Sequence, residues 1–209
     1  MTGEENMILG ASRTDAGVHA LGQTCIFKTR RSIPAFGFQQ GMNVALPDRI
    51  SVRSAAEVDA DFHPRFAARG KHYCYTLLNR LAPAPLHRLT SWHRPGVLDL
   101  IGMQEAAQVL VGEHDFSAFR ASGCGAHTTH RRIDKITVTQ DGDLVRIDVW
   151  GNAFLRNMVR IIAGTLVDAA YGKTSPAQLR EILESLDRRR AGQTAPAQGL
   201  CLLEVFYPE

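Results

Sequence analysis

The chain lacks several features by which common protein classes are recognised. No apolar run among its 209 residues approaches the roughly 18 residues that a membrane-spanning helix requires. Its start, Met-Thr-Gly-Glu-Glu-Asn, is polar and acidic, unlike a signal or transit peptide. These two absences favour a cytoplasmic protein without a membrane partner.

Motifs for disulfides and for nucleotide cofactors are also missing. The four cysteines include no Cys-x-x-Cys pair, so we expect reduced, structural thiols. No glycine-rich phosphate loop of the P-loop or dinucleotide type is present. The sequence therefore gives no indication of a nucleotide cofactor.

What is present suits one or two globular domains. The composition is 44% hydrophobic and 22% charged, which is enough apolar residues for real cores. The net charge of +3 is only mildly basic, although cations concentrate locally at 30–31, 131–132 and 188–190. Such a distribution permits a nucleic-acid partner without demonstrating one.

Hydrophobic periodicity predicts strands and helices in both parts of the chain. The first part is predicted as strand, turn, strand, helix, strand. The helix is expected to start at Ser32-Ile-Pro34 and to continue over 35–45, and the last strand is expected over 50–55. From Tyr73 on, the order is strand, helix, hairpin, helices, strand, which is a split βαβ arrangement with an added helix. In this second part we expect a strand over 71–78, a helix from its cap at Asp99 to Gly112, and an irregular segment over 113–125. A hairpin of 133–138 with 144–150 should follow. Helices are expected after Asn152 and from Ser175-Pro176, and the last strand over 199–206.

One turn of small residues, 10–23, stands out between two predicted strands. Arg13 and Asp15 are two residues apart and project to the same side of extended chain, while Gly17 suits a turn that needs positive φ. A cation and a carboxylate on a loop held by strands are a common basis for a site. An aspartate that merely caps its own turn is the ordinary alternative.

The amino-acid sequence of this turn resembles the signature motif of a known family. Arg13-Thr-Asp-Ala-Gly-Val-His-Ala20 is similar to the signature of the TruA family of tRNA pseudouridine synthases, and later segments are similar in the same order over nearly all of the chain. The resemblance implies that Asp15 is catalytic. It also implies that Arg160, at the end of the helical motif 152–160, pairs with that aspartate.

The resemblance implies three further substrate-binding residues. Tyr73 corresponds to the tyrosine that stacks on the target base, although the spacing of Tyr73 and Tyr75 alone equally suits core tyrosines. Arg13 would enter the RNA stem or hold a phosphate near the flipped nucleotide. Leu200 or Leu202 would lie beside the base, and a core role is nearly as good an interpretation of either.

The family fold implies an α+β protein of two ferredoxin-like (split βαβ) half-domains, whose antiparallel sheets flank a central cleft. We expect residues 1–66 to form the first half-domain with the catalytic loop, and residues 67–209 to form the second. Only fourteen residues precede Asp15, where the family has an opening strand and helix, so the first half-domain is expected to be incomplete.

The implied activity is isomerisation of uridine to pseudouridine in the tRNA anticodon stem-loop, by a homodimer. An isomerisation consumes no cofactor and needs no metal. The first alternative is a catalytically inactive, truncated RNA-binding remnant. The second is a metal-dependent hydrolase using Cys124, His127 and His130, whose spacing matches no established zinc pattern.

Overall fold

The computed structural model of the chain describes residues 2–208. Between these limits the chain forms nine strands and four α-helices. Their bounds are β1 (Leu9–Gly10), β2 (His19–Ala20), β3 (Cys25–Ile26), α1 (Ala35–Ala45), β4 (Gly70–Leu78), β5 (Trp92–His93), α2 (Leu100–Gln108), β6 (Gly112–Asp115), β7 (His130–Asp141), β8 (Leu144–Gly151), α3 (Met158–Ala170), α4 (Pro176–Ser185) and β9 (Leu200–Phe206). The predicted α+β class is therefore confirmed. Within the described residues, no helix is both long enough and apolar enough to cross a membrane.

The chain divides into two compact units. The first contains the chain through Ser12 together with Thr24–Ala67, and the second contains Arg13–Gln23 and everything from Ala68 onward. The signature turn thus groups with the second unit, whereas the predicted boundary at 66–67 assigned it to the first. That boundary, the incomplete first half-domain and the central cleft stay predictions.

The first unit is built on a short ladder and one helix. β1 and β3 pair antiparallel, and the rings of Phe27 and Phe38 meet edge to face with centroids 5.3 Å apart. Helix α1 ends where the sequence predicts, but it begins at Ala35, because Pro34 keeps an extended conformation as its N-cap.

The strand predicted at 50–55 is wrong. The backbone N–H and C=O of Val52 bond the side-chain amide of Asn43 on α1, at 2.6 and 2.9 Å, and the carbonyl of Arg53 accepts from Gln39 at 2.8 Å. Side chains of the helix therefore satisfy the backbone groups that a neighbouring strand would otherwise bond.

The second unit is a mixed sheet in the order β2-β9-β4-β8-β7-β6, with β5 on β4. Strands β9, β4, β8, β7 and β6 run antiparallel to one another in that order, while β2 pairs in parallel with β9 and β5 pairs in parallel with β4. The predicted split βαβ order with an added helix is confirmed for this unit. The strand alternation places Tyr75, Leu77 and Ile147 in the core, where each is fully buried.

Two helices of the second unit begin where their capping residues predict. The Asp99 carboxylate accepts from the N–H of Gly102 at 2.9 Å, and Ser175 with Gln178 completes a capping box that opens α4. The helix begun at Asp99 ends at Gln108 and not at Gly112, because its last turn tightens to bonds three residues apart through Val111.

Two further boundaries in this unit differ from the prediction. A helix does not follow Asn152 directly, because its side-chain oxygen accepts from Arg132 and Ala153 and so extends the hairpin; α3 begins only at Met158. The segment predicted as irregular after Gly112 contains β6, which pairs with β7.

Candidate active site

The signature turn is fixed at its base by its own backbone. The carbonyl of Asp15 accepts from the N–H of Val18 at 2.9 Å, and Gly17 has φ of +84°, as the sequence predicted. A Cβ on Gly17 would lie 3.3 Å from Cβ of Ala197, so this turn packs against the turn that precedes β9. The positive φ favours glycine here, and the contact with Ala197 leaves little room for a Cβ.

The far side of the turn is held by β9. His19 and Ala20 pair in parallel with Cys201 and Leu202, and the N–H of Leu21 bonds the carbonyl of Leu202 at 2.8 Å. Nε2 of His19 lies 2.6 Å from the carbonyl oxygen of Leu89, which makes this histidine a structural donor. Strand pairing thus positions the aspartate-bearing turn.

Asp15 faces Arg160, as the resemblance implies. Oδ2 of Asp15 lies 3.5 Å from Nη1 of Arg160, with the aspartate side chain 39% exposed and the arginine side chain 16% exposed. The carboxylate is therefore reachable from solvent, while its counter-charge is mostly covered.

Arg160 is held by two other groups. Its Nε donates to the carbonyl of Ala195 at 2.7 Å, and its Nη1 donates to Oδ1 of Asn157 at 3.1 Å. Asn157 is the N-cap residue of α3 and adopts the left-handed region at φ 59°, which is uncommon for a residue other than glycine. The guanidinium is thereby fixed from its own helix and from the segment before β9.

The predicted base-binding residues lie on neighbouring strands. Across the sheet, Tyr73 on β4 pairs with Leu202 on β9, and Tyr75 pairs with Leu200. Tyr73 is only 5% exposed, and its ring meets that of Phe154 edge to face at 5.2 Å. Leu200 is 7% exposed, so both residues pack in the core in this structure.

Tyr75 was not predicted to belong to the site, yet it lies next to it. Its hydroxyl donates to the carbonyl of Pro196 at 2.8 Å, one residue beyond the carbonyl that holds Arg160. Burial raises the pKa of Tyr75 well above its usual range, and the charge of Arg160 opposes that rise. This phenol therefore stays protonated and donates its hydrogen bond.

The remaining predicted residues are placed as follows. Arg13 is exposed on the signature turn, where it makes no hydrogen bond or ion pair with any residue of 2–208. Across that same span, no three His, Cys, Asp or Glu side chains gather as metal ligands would, and Cys124, His127 and His130 are no exception.

The second unit thus holds a part-exposed carboxylate against a fixed guanidinium. Comparison with known proteins identifies the family. A sequence profile described as tRNA pseudouridine synthase matches residues 3–67 and 106–208. The chain belongs to this family of isomerases.

Individual relatives match nearly the whole of this chain. The chain is 52% identical to a tRNA pseudouridine synthase A of Geotalea uraniireducens over 207 residues, which covers 99% of this chain and 85% of the relative. It is 49% identical to that of Citrifermentans bemidjiense, covering 100% and 84%. It is 46% identical to that of Acetivibrio thermocellus, covering 99% and 85%.

Sequence reasoning missed two groups that position Arg160. Asn157 could have been found, because it precedes Arg160 by three residues and both therefore share one face at the start of the helix. The carbonyl of Ala195 could not have been found, since a backbone acceptor carries no residue-specific signal.

Proposed function

We propose that this protein converts uridine to pseudouridine in the anticodon stem-loop of tRNA, with Asp15 as the catalytic carboxylate. The N1–C1′ bond breaks, the uracil turns over, and a C1′–C5 bond forms. The proton leaves C5 and N1 gains one, so atoms balance without a cofactor. A target base inside a stem must first leave the stack.

One observation carries the assignment of Asp15. Within a chain of this family, the signature aspartate is the carboxylate that meets a mostly covered guanidinium, at 3.5 Å from Arg160. A guanidinium fixed by Ala195 and Asn157 gives the carboxylate a defined direction and a fixed opposite charge. Such preorganisation lets the carboxylate act on the sugar or the base without reorganising during the reaction.

Tyr73, Leu200 and Arg13 complete the proposed site. The ring of Tyr73 would stack on the uracil once the neighbouring Phe154 ring moves aside, because only 5% of Tyr73 is exposed. Leu200 would flank the base and help to exclude water, which would otherwise divert an intermediate to free uracil. Arg13, exposed on the signature turn, would contact the RNA stem or a phosphate.

The hydroxyl of Tyr73 is also proposed to help move the C5 proton. Tyr73→Phe keeps the ring and removes the hydroxyl, so it should retain tRNA binding and lose turnover. Full activity of this variant would eliminate the proton-transfer role while leaving the stacking role standing.

The direct test is tritium release from tRNA labelled at C5 of uridine. Asp15→Asn should lower the rate of tritium release by about 10²–10⁴-fold, the usual contribution of a positioned acid–base group. Asp141→Asn is the matched control, since Asp141 is an exposed aspartate of the β7–β8 hairpin turn. Undiminished release by Asp15→Asn would refute the assignment.

The same assay separates the alternative. A wild-type protein that binds tRNA but releases no tritium would be the inactive RNA-binding remnant. We further propose that the enzyme is a cytoplasmic homodimer whose two subunits share one tRNA. Light scattering at several concentrations tests this assembly, and a monomer that is fully active would contradict it.

A further inference from the structure

A cavity of about 490 Å³ lies in the second unit, lined by residues other than the proposed catalytic and base-binding ones. It is formed by the segment 117–124 and by the residues that follow α4. The residues that matter for its chemistry are Arg120, Cys124, Asp187 and Arg188.

The charge of this cavity is positive. The guanidinium of Arg120 makes no hydrogen bond or ion pair with another residue of 2–208. Asp187 is the carboxylate among the lining residues, and Nη2 of Arg189 holds it at 2.7 Å. Hydrogen bonds from Arg189 lower the pKa of Asp187 to about 2, so this carboxylate stays ionised and is paired with a cation that does not line the cavity.

Arg188 is positioned by the backbone around it. Its Nη1 donates to the carbonyl of Ala191 at 3.2 Å, and its Nη2 donates to Oγ1 of Thr194 at 3.1 Å. One guanidinium of the cavity is therefore fixed, and the other, on Arg120, is available to a ligand.

The pKa of the Cys124 thiol is lowered by the same positive charge. Burial alone would raise its pKa, but backbone N–H groups of Arg156 and Ala126 and the charges of Arg120 and Arg131 lower it overall. Nε of Arg131 is buried without a hydrogen-bond partner among the described residues. An environment that stabilises a thiolate also stabilises a phosphate oxyanion.

The cavity is connected to the catalytic pair by two short routes. The N–H of Ala121 bonds the carbonyl of Arg156 at 3.1 Å, four residues before Arg160 in the sequence. Thr194, which holds Arg188, precedes Ala195, whose backbone bonds Arg160 through both its N–H and its carbonyl. The lining of the cavity is therefore bonded to segments that also hold Arg160.

We propose that this cavity is a phosphate subsite that binds the RNA backbone beside the target nucleotide, with Arg120 as the contacting residue and Arg188 as a second cation. The proposal rests on the proposed function, since it takes tRNA as the ligand. Guanidinium groups suit it because their planar fork matches phosphate oxygens. Such contacts set the register of an RNA strand without reading its sequence.

Arg120→Gln is the informative variant because it breaks no bond of the fold. Its matched control is Arg180→Gln, which removes the same charge from an exposed arginine of α4 that does not line the cavity. Arg120→Lys retains the charge and loses only the fork. The measurement is the affinity for unmodified tRNA across a KCl series.

We expect Arg120→Gln to weaken tRNA binding about tenfold near physiological salt, the usual effect of losing a charge-assisted hydrogen bond. The slope of log K against log salt should fall by about 0.7–0.9, which corresponds to one phosphate contact. Arg120→Lys should keep the slope, and Arg180→Gln should match wild type in both quantities. Equal affinity and slope for Arg120→Gln and Arg180→Gln would overturn the proposal.

A chemical readout tests the same cavity independently. Alkylation of Cys124 by iodoacetamide, followed by peptide mass spectrometry, should slow when tRNA is added to the wild-type protein. Unprotected alkylation at saturating tRNA would count against the subsite. Both readouts measure binding alone, so a wild-type protein that fails to release tritium refutes the proposed function without deciding this proposal.

Discussion

Gly199 lies directly against the ring of Tyr75. A Cβ at position 199 would come within 2.6 Å of Cζ and 2.8 Å of the hydroxyl oxygen of that tyrosine. Because the same hydroxyl donates to the carbonyl of Pro196, the ring is held on one side by a bond and on the other by this contact. The fit fixes the turn 197–199 that leads into β9 and Leu200.

Gly199→Ala should therefore destabilise the fold. The ring of Tyr75 is fully buried and cannot swing away without losing its hydrogen bond, so we expect a loss of about 1–3 kcal/mol in the free energy of unfolding. Urea denaturation followed by circular dichroism measures it. Gly125→Ala is the matched control, because no atom lies within 4 Å of a Cβ placed there. Equal stability of the two variants would contradict the close fit.

Asn157 is expected to act on catalysis through Arg160. Asn157→Gly removes the acceptor for Nη1 while allowing the left-handed backbone at φ 59°, so the fold should remain stable. With one restraint on the guanidinium lost, kcat should fall about 10- to 100-fold, the cost of a small misplacement at a reacting group. A variant that melts like wild type and turns over like wild type would show that Asn157 has no positioning role.

Leu186 is the C-cap residue of α4 and adopts the left-handed region at φ 57°, where a residue that carries a Cβ is strained. Leu186→Gly should be more stable than Leu186→Ala by about 1 kcal/mol, since both remove the side chain and only glycine relieves the strain. Thermal unfolding of the two variants gives the difference. An alanine variant as stable as the glycine variant would show that the backbone stores no strain there.

The cysteines should differ in the pH at which they react. The pKa of Cys124 lies below the ordinary value for a thiol, for the reasons given above, whereas burial raises that of Cys201. A lower pKa gives more thiolate at a given pH, so the alkylation profile of Cys124 should have its midpoint at lower pH than that of Cys201. Mass spectrometry of peptides alkylated over a pH series compares the two profiles.

Arg120→Gln offers a second check on the same titration. Removing one nearby positive charge should shift the profile of Cys124 to higher pH and leave that of Cys201 unchanged. A shift in the opposite direction, or an equal shift of both cysteines, would contradict the electrostatic explanation.

Local patterns predicted the elements that local interactions stabilise. The helix over Ala35–Ala45, the β7–β8 hairpin and the capped start of α4 all follow from signals within a few residues of each other. The predictions failed where a distant partner decides. Val52 bonds a helix side chain in place of a strand, and β6 forms because β7 offers it an edge. Neither partner is visible in the segment itself.

The site divides in a similar way. The meeting of Asp15 and Arg160 was anticipated from the resemblance, since no spacing in the sequence connects residues so far apart. Tyr75 and Asn157 were missed, because their importance depends on what the fold brings to them: the carbonyl of Pro196 in one case and a guanidinium in the other. The catalytic and substrate-binding roles themselves remain predictions until the variants are measured.

The parallel pairing of His19–Ala20 with Cys201–Leu202 has a consequence for biosynthesis. A ribosome releases the signature turn long before it makes the strand that anchors this turn, and contacts between such remote segments form late. In a nascent chain, the turn that carries Asp15 therefore lacks its pairing with β9 until translation is nearly complete. Prematurely terminated products should therefore be inert towards RNA modification, since they never receive the anchoring strand.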